Sequence, residues 1–101
     1  MVAEHRRIEG ALVLNYELTL NGSITGDVTV VRHGILRLHG LCCRNLTLEQ
    51  DSKAYVYGTV NGNVHNRAGY LHVYGKIAGN LHTEAGAETH IDSQAVVQRI
   101  A

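Results

Sequence analysis

The sequence has no proline, no tryptophan and no phenylalanine, and its five aromatic residues are all tyrosines. Without bulky aromatic side chains, a conventional β-sandwich core is difficult to fill at the density of protein interiors. A narrow stack of valine, leucine and isoleucine side chains needs no such residues. The composition therefore favours a thin aliphatic core, and 101 residues are enough for one domain.

The sequence also lacks an excess of charge of either sign and a long apolar run near its start. Nine acidic and nine basic residues give a formal net charge of zero, so no basic field directs the chain to nucleic acid. Residues 1–10 include His5, Arg6, Arg7 and Glu9, with no apolar stretch behind them. This pattern argues against a signal peptide or a membrane span, and it predicts a cytoplasmic protein.

What the sequence does contain is a repeat. Seven positions recur 17 places on, as the pairs Gly58/Gly75, Val60/Ile77, Gly62/Gly79, Asn63/Asn80, Val64/Leu81, His65/His82 and Gly69/Gly86. Earlier copies begin at Leu18 and Leu36, 18 residues apart. A repeat of this length, built from alternating β-formers and glycines, is typical of one coil of a β-solenoid. We therefore expect coils stacked about 4.8 Å apart and joined by parallel backbone hydrogen bonds.

The spacing within one coil predicts its outline. Two glycine corners and a longer turn of four to five residues divide each coil into three short sides, which predicts a triangular cross-section. The chain then reads as one all-β domain over 1–101, with an incomplete coil at 1–17, four regular coils at 18–86 and a C-terminal coil at 87–101, about five coils in total. An antiparallel meander is the alternative, since Asn21-Gly22 and Asn61-Gly62 suit hairpin turns. A meander does not need identical residues in successive columns.

Three lines of the repeat, residues 20–28, 56–64 and 73–81, share the pattern V-x-G-x-V-x-G-N/D-V. Over roughly residues 12–97 the chain resembles the bactofilin (polymer-forming cytoskeletal) family. The resemblance implies a right-handed parallel β-helix with a triangular core that associates end to end into filaments without nucleotide. Arg44 departs from the pattern because it replaces the second glycine of its coil, and the proline-rich tails common in the family are missing.

The ends of an open solenoid present unpaired strand edges, which recruit another copy or a partner. Our first hypothesis is a non-enzymatic structural scaffold that self-associates through these ends into a homo-oligomer or short filament. The residues predicted for this end-to-end interface are Leu12, Leu14, Ile91, Val96, Val97 and Ile100.

A second surface lies on the outward side of successive coils. The residues predicted to share it are Arg37, His39, Tyr55, Tyr57, His72 and Tyr74. Amphipathic aromatic residues of this kind are enriched at protein interfaces, although cross-strand packing alone also explains them. Our second hypothesis is a protein-binding adaptor or inhibitor, for example an immunity-type protein, that uses this face.

We find no pattern that assembles a catalytic site or predicts a cofactor. His65 is expected beneath His82, and paired imidazoles can bind a metal, but the repeat places no carboxylate beside them, so we interpret them as surface histidines. The adjacent cysteines Cys42 and Cys43 fit neither a disulfide framework nor a zinc pair, and we expect the first inside and the second outside. The column Asp27, Asn45, Asn63 and Asn80 has a predicted structural role at one corner.

Overall fold

The computed structural model describes residues 2–4 and 7–100, with side chains described from Arg7 onward. This part of the chain contains no helix, and hence none that could cross a membrane. Its strands are β1 Val2–Glu4, β2 Arg7–Ile8, β3 Leu12–Leu14, β4 Glu17–Leu20, β5 Ser23–Ile24, β6 Val28–Val30, β7 Ile35–Leu38, β8 Leu41–Cys42, β9 Leu46–Leu48, β10 Lys53–Val56, β11 Thr59–Val60, β12 Val64–Asn66, β13 Tyr70–Val73, β14 Lys76–Thr83, β15 Glu88–Ile91 and β16 Val96–Ile100.

The strands form two sheets wound from one continuous path. Sheet A has six strands in the order β1-β4-β7-β10-β13-β15, so the chain makes five turns between its two edge strands. Sheet B has two arms, β2-β5-β8-β11 and β12-β9-β6-β3, which β14 joins because it continues around the corner and pairs with both β11 and β12. The described pairings are all parallel. The predicted β-solenoid of about five turns is therefore confirmed, and the antiparallel meander is wrong.

The register follows the repeat of the sequence. Val60 is aligned with Cys42 below it and with Ile77 above it, as the 17- and 18-residue spacings predict. In the first layer the spacing is 16 residues, since Leu12 is aligned with Val28. In the last layer it widens to 20 residues between Ile77 and Val97. Most changes of spacing thus fall in the turns, and the strands keep their columns except between β14 and β16, where the register shifts between Ile77 and Asn80. The triangular outline and the right-handed winding stay predictions.

The core is the inward side of these columns, and its apolar side chains are aliphatic except for Cys42. Burial alternates along each strand, as the period of two requires. The core residues, each at most 1% exposed, are Leu14, Leu18, Leu20, Ile24, Val28, Val30, Leu36, Leu38, Cys42, Leu46, Leu48, Ala54, Val56, Val60, Val64, Leu71, Val73, Ile77 and Leu81.

Asn66 is a polar residue inside this core, aligned above Leu48 and completely buried. Its Nδ2 donates to the backbone oxygen of Glu88 at 2.8 Å and to Thr89 Oγ1 at 3.0 Å. Its Oδ1 accepts from the backbone N–H of Gly69 at 2.9 Å. All the polar atoms of this side chain are therefore satisfied, which is the condition for burying an amide at low cost.

The glycine corners are explained by the distance between layers. A Cβ atom on Gly58 would lie 2.0 Å from the backbone oxygen of Gly40, and one on Gly62 would lie 2.6 Å from the backbone carbon of Arg44. No side chain fits there unless the backbone moves. Arg44 itself is exposed, so its side chain leaves the corner towards solvent.

A ladder of polar side chains runs beside these corners. Asp27 Oδ1 accepts from the backbone N–H of Asn45 at 3.0 Å, and the Oδ1 atoms of Asn45 and Asn63 accept from the next layer at 2.8 Å each. The predicted structural role is confirmed. The bonds run from side chain to the backbone of the following layer, so each one ties two layers together.

Candidate functional site

The predicted outward surface forms as one patch on sheet A. We call Arg37, His39, Tyr55, Tyr57, His72 and Tyr74 the aromatic face. Arg37, Tyr55 and His72 are aligned in one column of sheet A, because the in-register strands β7, β10 and β13 carry them at equivalent positions. His39, Tyr57 and Tyr74 each follow the last residue of one of these strands, at the corner towards sheet B.

The rings of this patch are stacked. Tyr57 lies between His39 and Tyr74, with ring centroids 4.6 and 4.8 Å apart and interplanar angles of 5° and 3°. Tyr74 also stacks on His72 at 4.0 Å and 7°, which joins the two columns. Tyr57 and Tyr74 remain 42% and 36% exposed. The face therefore offers rings that are already ordered before any partner arrives.

Tyr70, which the sequence did not assign to this surface, extends the aromatic face. Tyr70 contacts Tyr55 at a centroid distance of 6.1 Å and His90 at 5.4 Å. At the other end, the Arg37 guanidinium lies 5.8 Å from the centroid of Tyr55 and forms an ion pair with Glu17. Tyr70 lies outside the alternating line of the repeat, and only its register with Lys53 would have identified it.

The surroundings of Tyr74 shift the pKa of its hydroxyl. Desolvation, and after it the neighbouring Tyr57, raise the pKa of Tyr74 above its ordinary value. Its Oη lies 3.3 Å from His72 Nδ1, a distance at the weak limit of hydrogen bonding. A protonated phenol can donate a hydrogen bond to a partner as well as accept one.

The residues predicted for the end-to-end interface are not equally accessible. Ile91 and Ile100 are aligned above the buried residues Val73 and Leu81, yet they are 40% and 70% exposed. They are the uncovered top of two core columns. Val97 is half-buried above Ile77, whereas Val96 is exposed and aligned with the exposed Lys76, so it lies on the side of the last layer.

At the opposite end, Leu12 is half-buried and packs against the core. Leu14 is completely buried within the molecule. Its side chain therefore offers no surface to a second molecule in this fold. The prediction that Leu14 is part of the end-to-end interface is wrong.

The outward histidine pair on sheet B has ionic partners that the repeat did not indicate. His65 and His82 meet edge to face with centroids 5.0 Å apart, as the register predicts. His65 Nε2 lies 2.7 Å from Glu84 Oε2, and Arg67 lies 3.6 Å from the same oxygen. The repeat places no carboxylate beside this pair, and it did not indicate Glu84 because this residue lies in a turn outside the alternating pattern. Among residues 7–100, no group of three or more histidine, cysteine, aspartate or glutamate side chains is arranged to hold a metal ion.

The two cysteines lie as predicted, with Cys42 buried and Cys43 half-buried on the other side of the strand, and neither forms a disulfide. Burial raises the pKa of the Cys42 thiol to about 11. At neutral pH this thiol is protonated and a poor nucleophile, since the thiolate is the reactive form.

No family model matches this chain, and no significant match was found among curated proteins or among solved structures. The likeness to bactofilins therefore rests on the repeated lines of the sequence. What the structure establishes by itself is a parallel β-solenoid, an architecture consistent with a structural or interaction scaffold.

Proposed function

We propose that this chain is a structural scaffold that self-associates through the open ends of its solenoid, without catalysis. The observation that supports the proposal best is the uncovered top of the core. Ile91 and Ile100 continue two buried columns but remain substantially exposed. Burying a fully exposed isoleucine contributes about 1.5–3 kcal/mol, so covering both is a substantial driving force.

The strand edges at the same end favour a second copy as the partner. Among the described strands, β15 pairs only with β13 and β16 only with β14, which leaves one edge of each without a strand. Another solenoid of the same cross-section brings its own end strands at the matching spacing of about 4.8 Å. The end layer of the second copy then extends both the hydrogen-bonded sheets and the apolar columns of the first copy.

The test is the particle mass over a series of protein concentrations, measured by light scattering or sedimentation. We expect the mass of the wild type to rise with concentration and that of Ile100→Lys to stay at the monomer value. Val13→Lys is the matched control, because Val13 is 66% exposed on the side of the rod and is not an inward residue of an end layer. A wild type that stays monomeric throughout, or two variants that lower association equally, would contradict the proposal.

The aromatic face supports a second candidate function, the binding of another protein. Its stacked rings are ordered in advance, which reduces the entropy lost when a partner immobilises them. Replacing both Tyr57 and Tyr74 with Ala is expected to abolish capture of that partner in a pull-down and to leave self-association unchanged. Tyr16→Ala is the control, since Tyr16 is 43% exposed and outside the face. Retention of the partner by the double variant would exclude the aromatic face as its site.

A further inference from the structure

A groove runs along the corner between the second arm of sheet B and sheet A. Two neighbouring depressions, of about 310 and 230 Å³, share Asp51 and Lys53 as lining residues. Together they are lined by three consecutive positions in each of three successive layers. We call these residues the corner groove: His33, Gly34, Ile35, Asp51, Ser52, Lys53, Ala68, Gly69 and Tyr70.

The floor of the corner groove consists of small residues that are packed tightly. Gly34, Ser52 and Gly69 are buried, and a Cβ atom on Gly69 would lie 2.6 Å from Ser52 Oγ. Ser52 Oγ donates to the backbone oxygen of Glu49 at 2.6 Å, so the hydroxyl is already committed. The floor of the groove is therefore rigid and offers no free polar side chain, so a ligand would be recognised by the side chains of the walls.

One wall is a column of side chains with mixed chemistry. Lys53 is aligned with Ile35 below it and with Tyr70 above it. The Tyr70 ring also contacts the rings of Tyr55 and His90. The cationic residue Lys53 therefore lies between the aliphatic Ile35 and the ring of Tyr70, which its aromatic neighbours hold in place.

The opposite wall is strained. His33 and Asp51 have φ angles of 69° and 58°, in the left-handed region that non-glycine residues rarely adopt. Conformations of this kind cost free energy and cluster at ligand-binding sites. Asp51 is also neutralised, because Arg32 lies 3.4 Å from its carboxylate.

The ammonium group of Lys53 is available to bind an anionic ligand in the corner groove. Within residues 7–100 no carboxylate lies within 4.0 Å of its ammonium group, whereas the other charges beside the groove are paired. A ligand that carries one negative charge would satisfy Lys53 without displacing an existing ion pair. The volume of the larger depression is at the lower end of the range for small-molecule sites, about 300–1,000 Å³.

We propose that the corner groove binds a small aromatic acid, with its carboxylate on Lys53 Nζ and its ring against Tyr70. The anion supplies the charge that the groove lacks, and the ring uses the apolar wall, which an inorganic anion would leave uncovered. The groove lies on the side of the rod, away from the ends, and it adjoins the aromatic face, with which Tyr70 is in contact through Tyr55. Binding there is therefore independent of self-association, and either proposal can fail alone.

The test is a titration of the full chain followed by amide chemical shifts in NMR spectra, with benzoate, benzamide and inorganic phosphate as probes. We expect benzoate to shift the amide signals of Lys53, Gly69 and Tyr70 saturably. Benzamide has the same ring without the charge, and phosphate has the charge without the ring, so each should bind at least tenfold more weakly.

Two lysine variants complete the design. Lys53→Met keeps the apolar stem without the charge, and it should weaken benzoate binding at least tenfold. Lys76→Met is the matched control, because Lys76 is the only other lysine, is exposed on sheet B and should leave binding unchanged. The proposal is overturned if benzoate gives no saturable shift, if benzamide or phosphate binds as tightly, or if Lys53→Met binds benzoate like the wild type. Unchanged amide spectra of the unliganded variants establish that both remain folded.

Discussion

Asn66 offers the sharpest test of how this solenoid is held together. It is the one buried residue of its column whose side chain crosses from one layer to the next, with hydrogen bonds to Glu88, Thr89 and Gly69. Each bond contributes about 1 kcal/mol net, so Asn66→Ala should lower the free energy of unfolding by about 3 kcal/mol. For a domain of this size, that corresponds to a fall in melting temperature of about 12–24 °C.

The variant Asn66→Leu separates hydrogen bonding from packing. Leucine would continue the apolar column of Val30 and Leu48 and regain about 1.5 kcal/mol or more through burial. It would also leave the buried N–H of Gly69 without its partner. We therefore expect a net loss of about 1–2 kcal/mol, since the cost of unmade hydrogen bonds exceeds the gain.

Urea and thermal unfolding, followed by far-ultraviolet circular dichroism, measure these changes. Asn61→Ala is the control, because Asn61 is exposed and its side chain has no hydrogen bond in the described part of the chain. It should change stability by less than about 0.5 kcal/mol. If Asn66→Leu is as stable as the wild type or more stable, the hydrogen bonds of Asn66 do not hold β15 on the solenoid, and the reasoning fails.

Four further predictions concern single positions. Gly58→Ala should destabilise the protein by at least about 2 kcal/mol in urea unfolding, because the new Cβ would lie 2.0 Å from the Gly40 oxygen; an unchanged midpoint would show that the layers separate easily. A maleimide should label one thiol of the native protein, Cys43, and two after denaturation; early labelling of Cys42 would contradict its burial. Because the pKa of Cys42 is raised to about 11, its thiolate is disfavoured in the folded state, so stability should fall by up to about 3 kcal/mol as the pH rises from about 9 to 11; Cys42→Val should remove that part of the fall, and an identical pH profile would refute the assignment. His33→Gly should raise stability by about 0.5–1 kcal/mol, since glycine adopts a φ of 69° without a steric penalty; a lower melting temperature would show that the imidazole has a contact worth more than the strain.

The columns of the solenoid were predictable because the sequence repeats its own spacing. Once Val60 and Ile77 are equivalent, parallel stacking determines the neighbours of each strand residue and its inward or outward side. The aromatic face follows from the same rule, and its contacts between Tyr57 and Tyr74 are those expected of residues in adjacent layers.

The turns were not predictable in this way, because their lengths vary and their residues do not alternate. Glu84 beside His65 belongs to a turn that the repeat does not constrain, and Tyr70 beside Tyr55 is the first residue of β13, directly before the alternating line of the repeat begins. The burial of Leu14 was missed for a different reason. The pattern assigns a residue to an end layer, but it does not indicate how much of its side chain is buried by the other residues of that layer.

The layered construction has a consequence for the growth of such proteins. Each layer contacts only the layers beside it, so a tandem copy of residues 54–70 inserted after residue 70 would add one complete layer. The rod would lengthen by about 4.8 Å, while its cross-section and both terminal surfaces would stay the same. The inserted copy would bring its own corner glycines and its own link of the asparagine ladder. Length in this molecule can therefore change in whole steps through gene duplication, without a redesign of the fold.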